Sequence, residues 1–476
     1  MTLTIREVTE AVGGRFVGDV AALETRITSV VRDNREATAG SLFLCFVGER
    51  VDGHDFAADA FARGAVCAIC EQPLATQPLA TQELSPSQGE GVAQGSYILV
   101  DSTAAALRTL GACYRGKITI PIVGVIGSVG KTTAKELISA ALGARFNVLK
   151  TDKNLNNEIG VPLTLLSIGA EHDVAVVEMG ISDFGEMTRL GEMARPNIVI
   201  FTTVGHSHLE QLGDLDGVLR AKSEVFATMA NDGVAVVCGD DMRLLFAELP
   251  VRKITFGTQV HNDYRAEHVR ANGTERMAFV VNTPTAQFTL SLDAYGSHLA
   301  AATAGAVAVA ELLGVIPTEY VSGLMNYRAI DGRANVIRTQ SAIIIDDCYN
   351  ANPNSVAAAL KSLAALETLQ DVERRVAILG DMKELGAGSK ELHRDIGILA
   401  GELGIDVLIC VGEHAEFFLK GFVASKTENQ AYHFPFKEAF FERLPMLIKK
   451  GDAILVKASH SMNFAEIVTQ VQTLLP

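Results

Sequence analysis

The chain has 476 residues, of which 48% are hydrophobic and 20% are charged, and its formal net charge is −15. This length exceeds what one hydrophobic core usually serves, so we expect several domains. An acidic chain lacks the basic surface that nucleic-acid binding needs, and we expect no nucleic-acid partner. Anionic small molecules remain compatible with this charge, because loop amides and a few lysines create local positive sites.

The apolar segments and the cysteines indicate the compartment. Residues 1–10 lack the basic stretch and apolar run of a secretory signal. The longest weakly polar stretch, residues 299–310, is too short to cross a bilayer and predicts a buried helix, so we expect no membrane insertion. Cys67 and Cys70 could suggest metal or redox chemistry, but they lie in an apolar strand without a second pair. We interpret them as structural thiols in a reducing, cytoplasmic setting.

The first 114 residues mix short strand-like runs, such as residues 41–47, with a helical segment near residues 56–63. They also contain a low-complexity insert at residues 72–95, in which Gln-Pro-Leu-Ala-Thr occurs twice in succession. Such a segment buries too little apolar area to offset its ordering entropy. We predict that the insert is a mobile surface loop.

From residue 118 the pattern changes to strand, glycine-rich turn and helix in repetition. The apolar runs of this part are residues 118–126, 174–177, 198–202 and 233–237. Short buried runs separated by helices predict a parallel sheet covered on both faces. A β-rich interval at residues 264–292 interrupts the alternation.

The strongest local signal is the glycine-rich loop Gly127-Ser-Val-Gly-Lys-Thr-Thr133, which precedes a predicted helix at residues 134–142. Such loops turn backbone amides towards phosphate oxygens at a helix N-terminus. Lys131 would bridge the outer phosphates, and the Thr132 hydroxyl would ligate Mg²⁺. Val125 stands where the usual pattern has its first glycine. A purely structural turn is the alternative, but the strand–loop–helix context favours a nucleotide site formed by Gly127, Ser128, Val129, Gly130, Lys131, Thr132 and Thr133.

Two candidate metal ligands follow neighbouring apolar runs. Glu178 comes directly after residues 174–177, and His208 comes shortly after residues 198–202. Both would project from the carboxyl ends of parallel strands, beside the phosphate loop. A carboxylate and an imidazole there could hold metal ions that bridge the nucleotide and an acceptor. A strand-end glutamate alone is more often structural, and the joint occurrence with the loop favours the metal role.

After Arg333 the alternation of strands and helices resumes, with apolar runs at residues 343–345, 376–379, 407–411 and 453–456. We therefore predict an α/β protein of three domains. These are a smaller α/β N-terminal domain at 1–114, a central P-loop-type parallel-sheet domain at 115–333 and a C-terminal Rossmann-like α/β domain at 334–476.

The glycine loop is similar to the one that Mur ligases and the related folylpolyglutamate synthases share. Further segments resemble Mur ligases in the same order along the chain, namely residues 33–35, 40–43, 52–54, 154–162, 194–196, 204–210, 346–355, 379–386 and 456–457. Each segment is moderately specific, whereas their order is highly specific. Residues 346–355, Asp-Asp-Cys-Tyr-Asn-Ala-Asn-Pro-Asn-Ser, resemble most closely the branch of the family that adds D-alanyl-D-alanine.

The resemblance implies an ATP-dependent amide-bond ligase of peptidoglycan precursor synthesis, and hence a role in cell-wall biogenesis, cell shape and division. Such an enzyme joins D-alanyl-D-alanine to UDP-N-acetylmuramoyl-tripeptide through an acyl phosphate, with ATP and Mg²⁺ as cofactors. The three domains would bind the UDP substrate, bind ATP and complete ligation, in that order. The two substrates would be its small-molecule partners, and we expect a monomer.

The resemblance also implies roles for further residues. Lys222 would be carbamylated and would hold Mg²⁺ together with Thr132, Glu178 and His208. Lys131, Glu178, His208 and Lys222 would form the catalytic set. Beyond the phosphate loop, ATP would contact Asn154, Asn157, Arg333, Asp346 and Asn350. His206 falls where the family often has proline, and we assign it no role.

Several positions depart from the family pattern, and three rivals stay open. Cys348 replaces a common serine, Ala302 a frequent asparagine, and Ala458 and His460 a glycine and an arginine. The last pair puts the C-terminal substrate contacts in question more than the ATP site. The rivals are the ligase that adds the third peptide residue, a folylpolyglutamate synthase, and a nucleotide-binding ATPase or switch without ligase activity.

Overall fold

The computed structural model describes residues 3–48, 50–74, 95–272, 276–368, 372–426 and 428–476. The described chain divides into two compact units. The first contains residues 1–124, 147–179 and 188–196, and the second contains residues 125–146, 180–187 and 197–476. The insert predicted to be a mobile loop falls at residues 75–94 outside the described residues.

The N-terminal part contains seven strands and three helices among its described residues. They are β1 (Leu3–Thr4), α1 (Ile5–Val12), β2 (Arg15–Val17), β3 (Arg26–Ile27), β4 (Ser29–Val31), β5 (Ser41–Leu44), α2 (Ala57–Ala62), β6 (Cys67–Cys70), β7 (Ser96–Leu99) and α3 (Thr103–Arg115). Strands β2, β7, β6, β5 and β4 form a sheet in that order, and β1 pairs with β3. Cys67 and Cys70 are buried in β6. Burial raises the pKa of Cys70 to about 12, which fits a structural thiol.

The middle part begins with β8 (Ile122–Ile126), which leads from the first unit into the second. It continues with α4 (Lys131–Leu142), β9 (Val148–Lys150), α5 (Gly160–Leu166), β10 (Val174–Glu178), α6 (Glu186–Ala194), β11 (Ile198–Phe201), α7 (Leu209–Leu212), α8 (Leu215–Ser223), β12 (Val234–Cys238), α9 (Met242–Phe246), β13 (Arg252–Gly257), β14 (Tyr264–Asn272), β15 (Arg276–Asn282), β16 (Gln287–Leu292), α10 (His298–Leu312) and α11 (Pro317–Leu324).

These strands confirm the predicted alternation. In the first unit β9 pairs with β10 in parallel. In the second unit β11, β12, β13 and β14 pair in parallel, and β14, β15 and β16 continue the sheet as antiparallel strands. The antiparallel extension is the β-rich interval that the sequence predicts. The weakly polar stretch at residues 299–310 lies within the buried helix α10.

The C-terminal part forms a six-stranded sheet with helices. Its elements are β17 (Asn335–Arg338), β18 (Ile343–Asp346), α12 (Pro353–Ala364), β19 (Arg374–Gly380), α13 (Ser389–Glu402), β20 (Val407–Val411), α14 (Glu416–Ala424), β21 (Gln430–Phe434), α15 (Lys437–Leu447), β22 (Asp452–Lys457) and α16 (Ala465–Leu474). The strand order is β17-β18-β22-β19-β20-β21, with only β17 antiparallel. This agrees with the predicted Rossmann-like α/β class.

Short 3₁₀ helices connect several elements, at Val20–Glu24, Asn34–Glu36, Gly53–Phe56, Glu224–Thr228, Ala365–Thr368, Gly386–Gly388 and His460–Met462. Among the described residues, no helix combines the length and apolar character needed to span a bilayer.

Helices α13 and α14 pack so closely that glycine is required at their contact. A methyl group added at Gly397 would overlap the carbonyl oxygen of Phe418, and one added at Gly421 would overlap the carbonyl oxygen of Arg394. Both obstacles are backbone atoms, which cannot move aside as a side chain can. The two helices therefore approach each other over paired glycines.

We predict that Gly421→Ala destabilises the protein by about 1–3 kcal/mol, because the new methyl group must force the two helices apart. The midpoint of urea unfolding, followed by circular dichroism, should fall. Gly388→Ala is the matched control, since a methyl group there meets nothing closer than 3.8 Å. Equal midpoints for the two variants would contradict the close packing of α13 and α14.

Candidate active site

The phosphate loop joins β8 to α4. Gly127 and Gly130 adopt left-handed backbone angles, with φ of +139° and +81°. A side chain at Gly127 would also overlap the Thr202 hydroxyl, so both glycines are needed for the turn. The helix begins at Lys131, three residues earlier than predicted, which places Lys131 and Thr132 in its first turn. Backbone amides at a helix N-terminus point outward and favour anions, so this turn is a candidate anion site.

The loop after β11, residues 203–209, is bonded to the phosphate loop through Ser128; we call it the β11 loop. The Ser128 hydroxyl accepts the Gly205 N–H at 2.9 Å and donates to the Gly205 carbonyl oxygen at 3.1 Å. The Ser207 hydroxyl donates to the same oxygen of Ser128 at 3.0 Å, and the Ser128 N–H donates to the Thr203 carbonyl at 2.9 Å. The two loops therefore hold one another in position.

Asp241 anchors the β11 loop from the other side. Its carboxylate accepts the Val204 N–H at 2.7 Å and the Thr203 hydroxyl at 3.3 Å. The sequence does not mark Asp241, which lies 37 residues from Val204. Its only local signal is its place directly before α9, where its carboxylate also caps the helix.

Three basic side chains of the predicted catalytic set influence one another in the second unit. Lys131 donates to the Gly127 carbonyl oxygen at 2.8 Å. Lys222, in α8, is 1% exposed. Burial holds the pKa of Lys222 well below its ordinary value, the positive charge of Lys131 lowers it further, and Glu186 opposes the shift. An uncharged amine is thus favoured at this position.

His208 directly precedes α7 as its N-cap residue and has a left-handed backbone, φ +54°. Burial lowers the pKa of His208; Glu384 opposes this, and the charges of Lys222 and Lys131 add to it. The ring is thereby favoured in its neutral form, which has a lone pair for a metal ion.

Glu178 and the asparagines lie in the first unit. Glu178 ends β10 and is 2% exposed, and its N–H donates to the Thr151 hydroxyl at 2.9 Å. Asn156, which we did not predict, donates to the Glu178 carboxylate at 3.0 Å. The side-chain oxygen of Asn157 accepts the Gly160 N–H at 2.9 Å, at the first residue of α5, and the Asn154 carbonyl accepts the Asn156 N–H.

The family segments at residues 33–35 and 52–54, in the domain predicted to bind the UDP substrate, also lie in the first unit. Asp52 contacts Nδ1 of His54 at 2.6 Å, and Nε2 of that ring accepts the Glu71 N–H at 2.9 Å. These partners fix the tautomer of the imidazole. The exposed guanidinium of Arg35 pairs with Asp33 at 2.6 Å.

Arg333, Asp346 and Asn350 meet at one turn of the second unit. The Asp346 carboxylate accepts the Gly332 N–H at 3.0 Å, and the Tyr349 N–H donates to the Gly332 carbonyl at 3.0 Å. The Arg333 guanidinium lies 3.9 Å above the centre of the Tyr349 ring. This arrangement brings the three predicted residues together.

Lys457 contacts the turn that contains Asp347 and Asn350. It is 2% exposed, and its ammonium group contacts the Asp347 carboxylate at 2.6 Å and the Asn350 carbonyl oxygen at 2.9 Å. The sequence marks Lys457 as part of a family segment but assigns it no contact. His460, one of the departures from the family pattern, packs against Tyr349 at 5.1 Å between ring centres.

The β11 loop also contacts the C-terminal sheet region. The Asn354 side-chain oxygen accepts the His206 N–H at 3.1 Å. The Glu384 carbonyl oxygen accepts the Leu209 N–H at 3.1 Å, and its carboxylate lies 2.7 Å from Nδ1 of His208. His206, to which the sequence assigns no role, is therefore part of a contact. Asn354 and Glu384 lie in family segments that the sequence analysis marks, at residues 346–355 and 379–386, but it assigns neither residue a contact.

Three family models match the chain: "Mur ligase family, catalytic domain" at residues 26–115, "Mur ligase middle domain" at residues 125–310 and "Mur ligase, glutamate ligase domain" at residues 332–460. Together they span most of the sequence. The chain belongs to the Mur ligase family.

Similar proteins specify the branch of this Mur ligase. The UDP-N-acetylmuramoyl-tripeptide–D-alanyl-D-alanine ligase of Escherichia coli is 33% identical over 99% of both chains. The crystal structure of MurF from Acinetobacter baumannii has a TM-score of 0.85, 29% identity and 99% coverage of both chains. MurF from Thermotoga maritima, solved in complex with ADP, has a TM-score of 0.78 and 26% identity, covering 94% of this chain and 97% of that one. The predicted family, branch and three-domain α/β class are confirmed, and this Mur ligase uses ATP.

We predict that Ser128→Ala loosens the β11 loop of this Mur ligase. The Gly205 N–H loses its acceptor, and an unpaired buried group costs about 1–3 kcal/mol. Hydrogen exchange of residues 203–207 should accelerate by about tenfold or more. Ser139→Ala is the control, because that hydroxyl donates only within α4, to Lys135 at 2.7 Å. Unchanged exchange in Ser128→Ala would contradict the anchoring role.

Proposed function

We propose that this chain is the ATP-dependent ligase that joins D-alanyl-D-alanine to UDP-N-acetylmuramoyl-tripeptide in peptidoglycan precursor synthesis. The observation that carries the proposal is the 33% identity to a ligase of that name over 99% of both chains. The phosphate loop supplies the ATP site that such a reaction needs. We place the domain boundaries after residues 114 and 333, and we propose that the enzyme acts as a monomer in the cytoplasm.

The reaction requires activation of a carboxylate, which is a poor electrophile. A terminal carboxylate oxygen of the tripeptide attacks the γ-phosphorus of ATP, ADP leaves, and an acyl phosphate forms. The amine of D-alanyl-D-alanine then attacks the acyl carbon, loses a proton, and displaces phosphate. Two anions must approach in the first step, so positive charge is needed where they meet.

The residues of the phosphate loop meet this requirement. Amides of residues 127–133 bind the phosphates, and Lys131 exchanges the Gly127 carbonyl oxygen for the outer phosphates when ATP binds. Lys131 neutralises the charge that develops on the transferred group. Asn154, Asn157, Arg333, Asp346 and Asn350 complete the ATP contacts.

The donor set suits Mg²⁺. Among the described residues, no three His, Cys, Asp or Glu side chains form a cluster that could hold a metal ion. The proposed ligand set is of another kind, because only Glu178 and His208 belong to those types, and Thr132 and a carbamylated Lys222 supply the remaining oxygens. Bound Mg²⁺ would neutralise phosphate charge. The neutral amine is the form that reacts with CO₂, and burial lowers the pKa of Lys222 and so favours that form.

Two rival functions fit less well. The ligase that adds the third residue would take a single amino acid, whereas a relative 33% identical over 99% of both chains is a D-alanyl-D-alanine ligase. A nucleotide-binding switch would not need the N-terminal region that matches the family.

The deciding experiment measures phosphate release from ATP with varied substrates. We expect release only when UDP-N-acetylmuramoyl-tripeptide and D-alanyl-D-alanine are both present. A preference for the UDP-linked dipeptide with a single amino acid would identify the third-residue ligase instead. Rapid release with neither substrate would indicate an ATPase.

We predict that Lys222→Arg loses about 10²-fold or more in turnover, although it keeps the positive charge. Guanidinium cannot form a carbamate, and a carbamate offers the oxygen ligands that Mg²⁺ prefers. Lys420→Arg serves as the control, because Lys420 is an exposed lysine paired with Glu416. Near-normal turnover of Lys222→Arg would exclude the carbamate and leave Lys222 as a structural residue.

A further inference from the structure

The contact between His208 and Glu384 joins two unusual backbone positions. Both residues are left-handed although neither is glycine, with φ of +54° and +62°. Non-glycine residues rarely adopt this conformation, and it persists where the surroundings hold it in place. Here the surroundings include a backbone hydrogen bond, since the Leu209 N–H donates to the Glu384 carbonyl at 3.1 Å. The β11 loop and the turn after β19 are thus fixed to each other at this point.

The side chains add a second contact at the same place. One carboxylate oxygen of Glu384 lies 2.7 Å from Nδ1 of His208. Nδ1 is buried and lacks a well-directed hydrogen bond, so the ring must turn slightly to donate its proton. Catalytic hydrogen bonds are often poorly aligned without substrates and become aligned when substrates bind. Glu384 itself is half-exposed, and its side chain fills no part of the core.

A carboxylate at this place can orient the His208 ring. A histidine that ligates a metal through one nitrogen usually donates its other N–H to a carboxylate or carbonyl, which fixes tautomer and ring orientation. A carboxylate at Nδ1 keeps the proton there and leaves the lone pair on Nε2. Glu384 supplies this carboxylate from the C-terminal region, whereas His208 belongs to the β11 loop that Ser128 bonds to the phosphate loop.

We propose that Glu384 is a positioning residue that holds His208 in its Nδ1–H tautomer. The imidazole can then ligate a metal ion through Nε2 only when the C-terminal region is docked on the β11 loop. The proposal rests on the proposed function of His208. The docking itself has an independent contact, because Asn354 accepts the His206 N–H. Glu384 and Asn354 can therefore be tested separately.

The test compares Glu384→Ala, Glu384→Gln and Asn354→Ala, with Glu391→Ala as a control for loss of an exposed charge near the start of α13. Every substitution at position 384 keeps the backbone bond to Leu209. We expect Glu384→Ala to lower kcat by about 10–100-fold with KM values nearly unchanged, and Glu384→Gln to restore part of the loss, because an amide oxygen can still accept from Nδ1. Glu391→Ala should retain wild-type kinetics.

A spectroscopic measurement needs no substrate and no metal. In protein labelled with ¹⁵N-histidine, the signal that disappears in the His208→Gln variant is assigned to His208. In the other proteins this signal reports the tautomer of the His208 ring. We expect the Nδ1–H form in wild type and in Asn354→Ala, and its loss in Glu384→Ala. An unchanged tautomer in Glu384→Ala, or an equal loss in Asn354→Ala, would overturn the proposal. So would a rise in KM with kcat preserved. If the wild-type enzyme lacked ligase activity, the proposed function would fail while the tautomer still tested the role of Glu384.

Discussion

The Ser128 hydroxyl bonds both backbone groups of Gly205, and much of the site depends on this contact. It ties the phosphate loop, residues 127–133, to the β11 loop that carries His208. The glycines at 127 and 130 allow the turn of the phosphate loop, and Asp241 holds the β11 loop through the Val204 N–H. In the proposed site this linkage would position nucleotide and imidazole together, and positioning is a major part of what a protein contributes to phosphoryl transfer.

Burial then determines the charge of the site. An isolated ammonium group in the interior is costly, so Lys222 favours its neutral form, and Lys131 reinforces this by repulsion. The same two lysines lower the pKa of His208. Lowering these two pKa values favours neutral groups at positions 208 and 222, and neutral nitrogens have the lone pairs that a cation or CO₂ needs. In the proposed mechanism the positive charge for the phosphates comes from Lys131 and the loop amides.

Much of the fold and of the candidate site could be predicted from the sequence. Most of the contacts that could not be predicted share one physical cause. Strands such as β10 and β20 are apolar runs bounded by turns, and the phosphate loop is a local pattern. Asp241 was not marked, and Lys457 and Glu384 lie in marked family segments without an assigned contact. Each acts on residues far along the chain, and periodicity carries no information about such pairs. The start of α4 was placed three residues late because the loop glycine at 130 itself caps the helix.

The central claim is that ATP activates the tripeptide carboxylate before the amine attacks. It is tested most directly with UDP-N-acetylmuramoyl-tripeptide whose terminal carboxylate carries ¹⁸O. In this mechanism a carboxylate oxygen becomes the bridging atom of the acyl phosphate and departs with phosphorus. Mass spectrometry of the phosphate released during ligation should show one ¹⁸O atom per molecule when both carboxylate oxygens are labelled. Phosphate without ¹⁸O would contradict the account, because it would mean that ATP is hydrolysed by water and that the carboxylate is never phosphorylated.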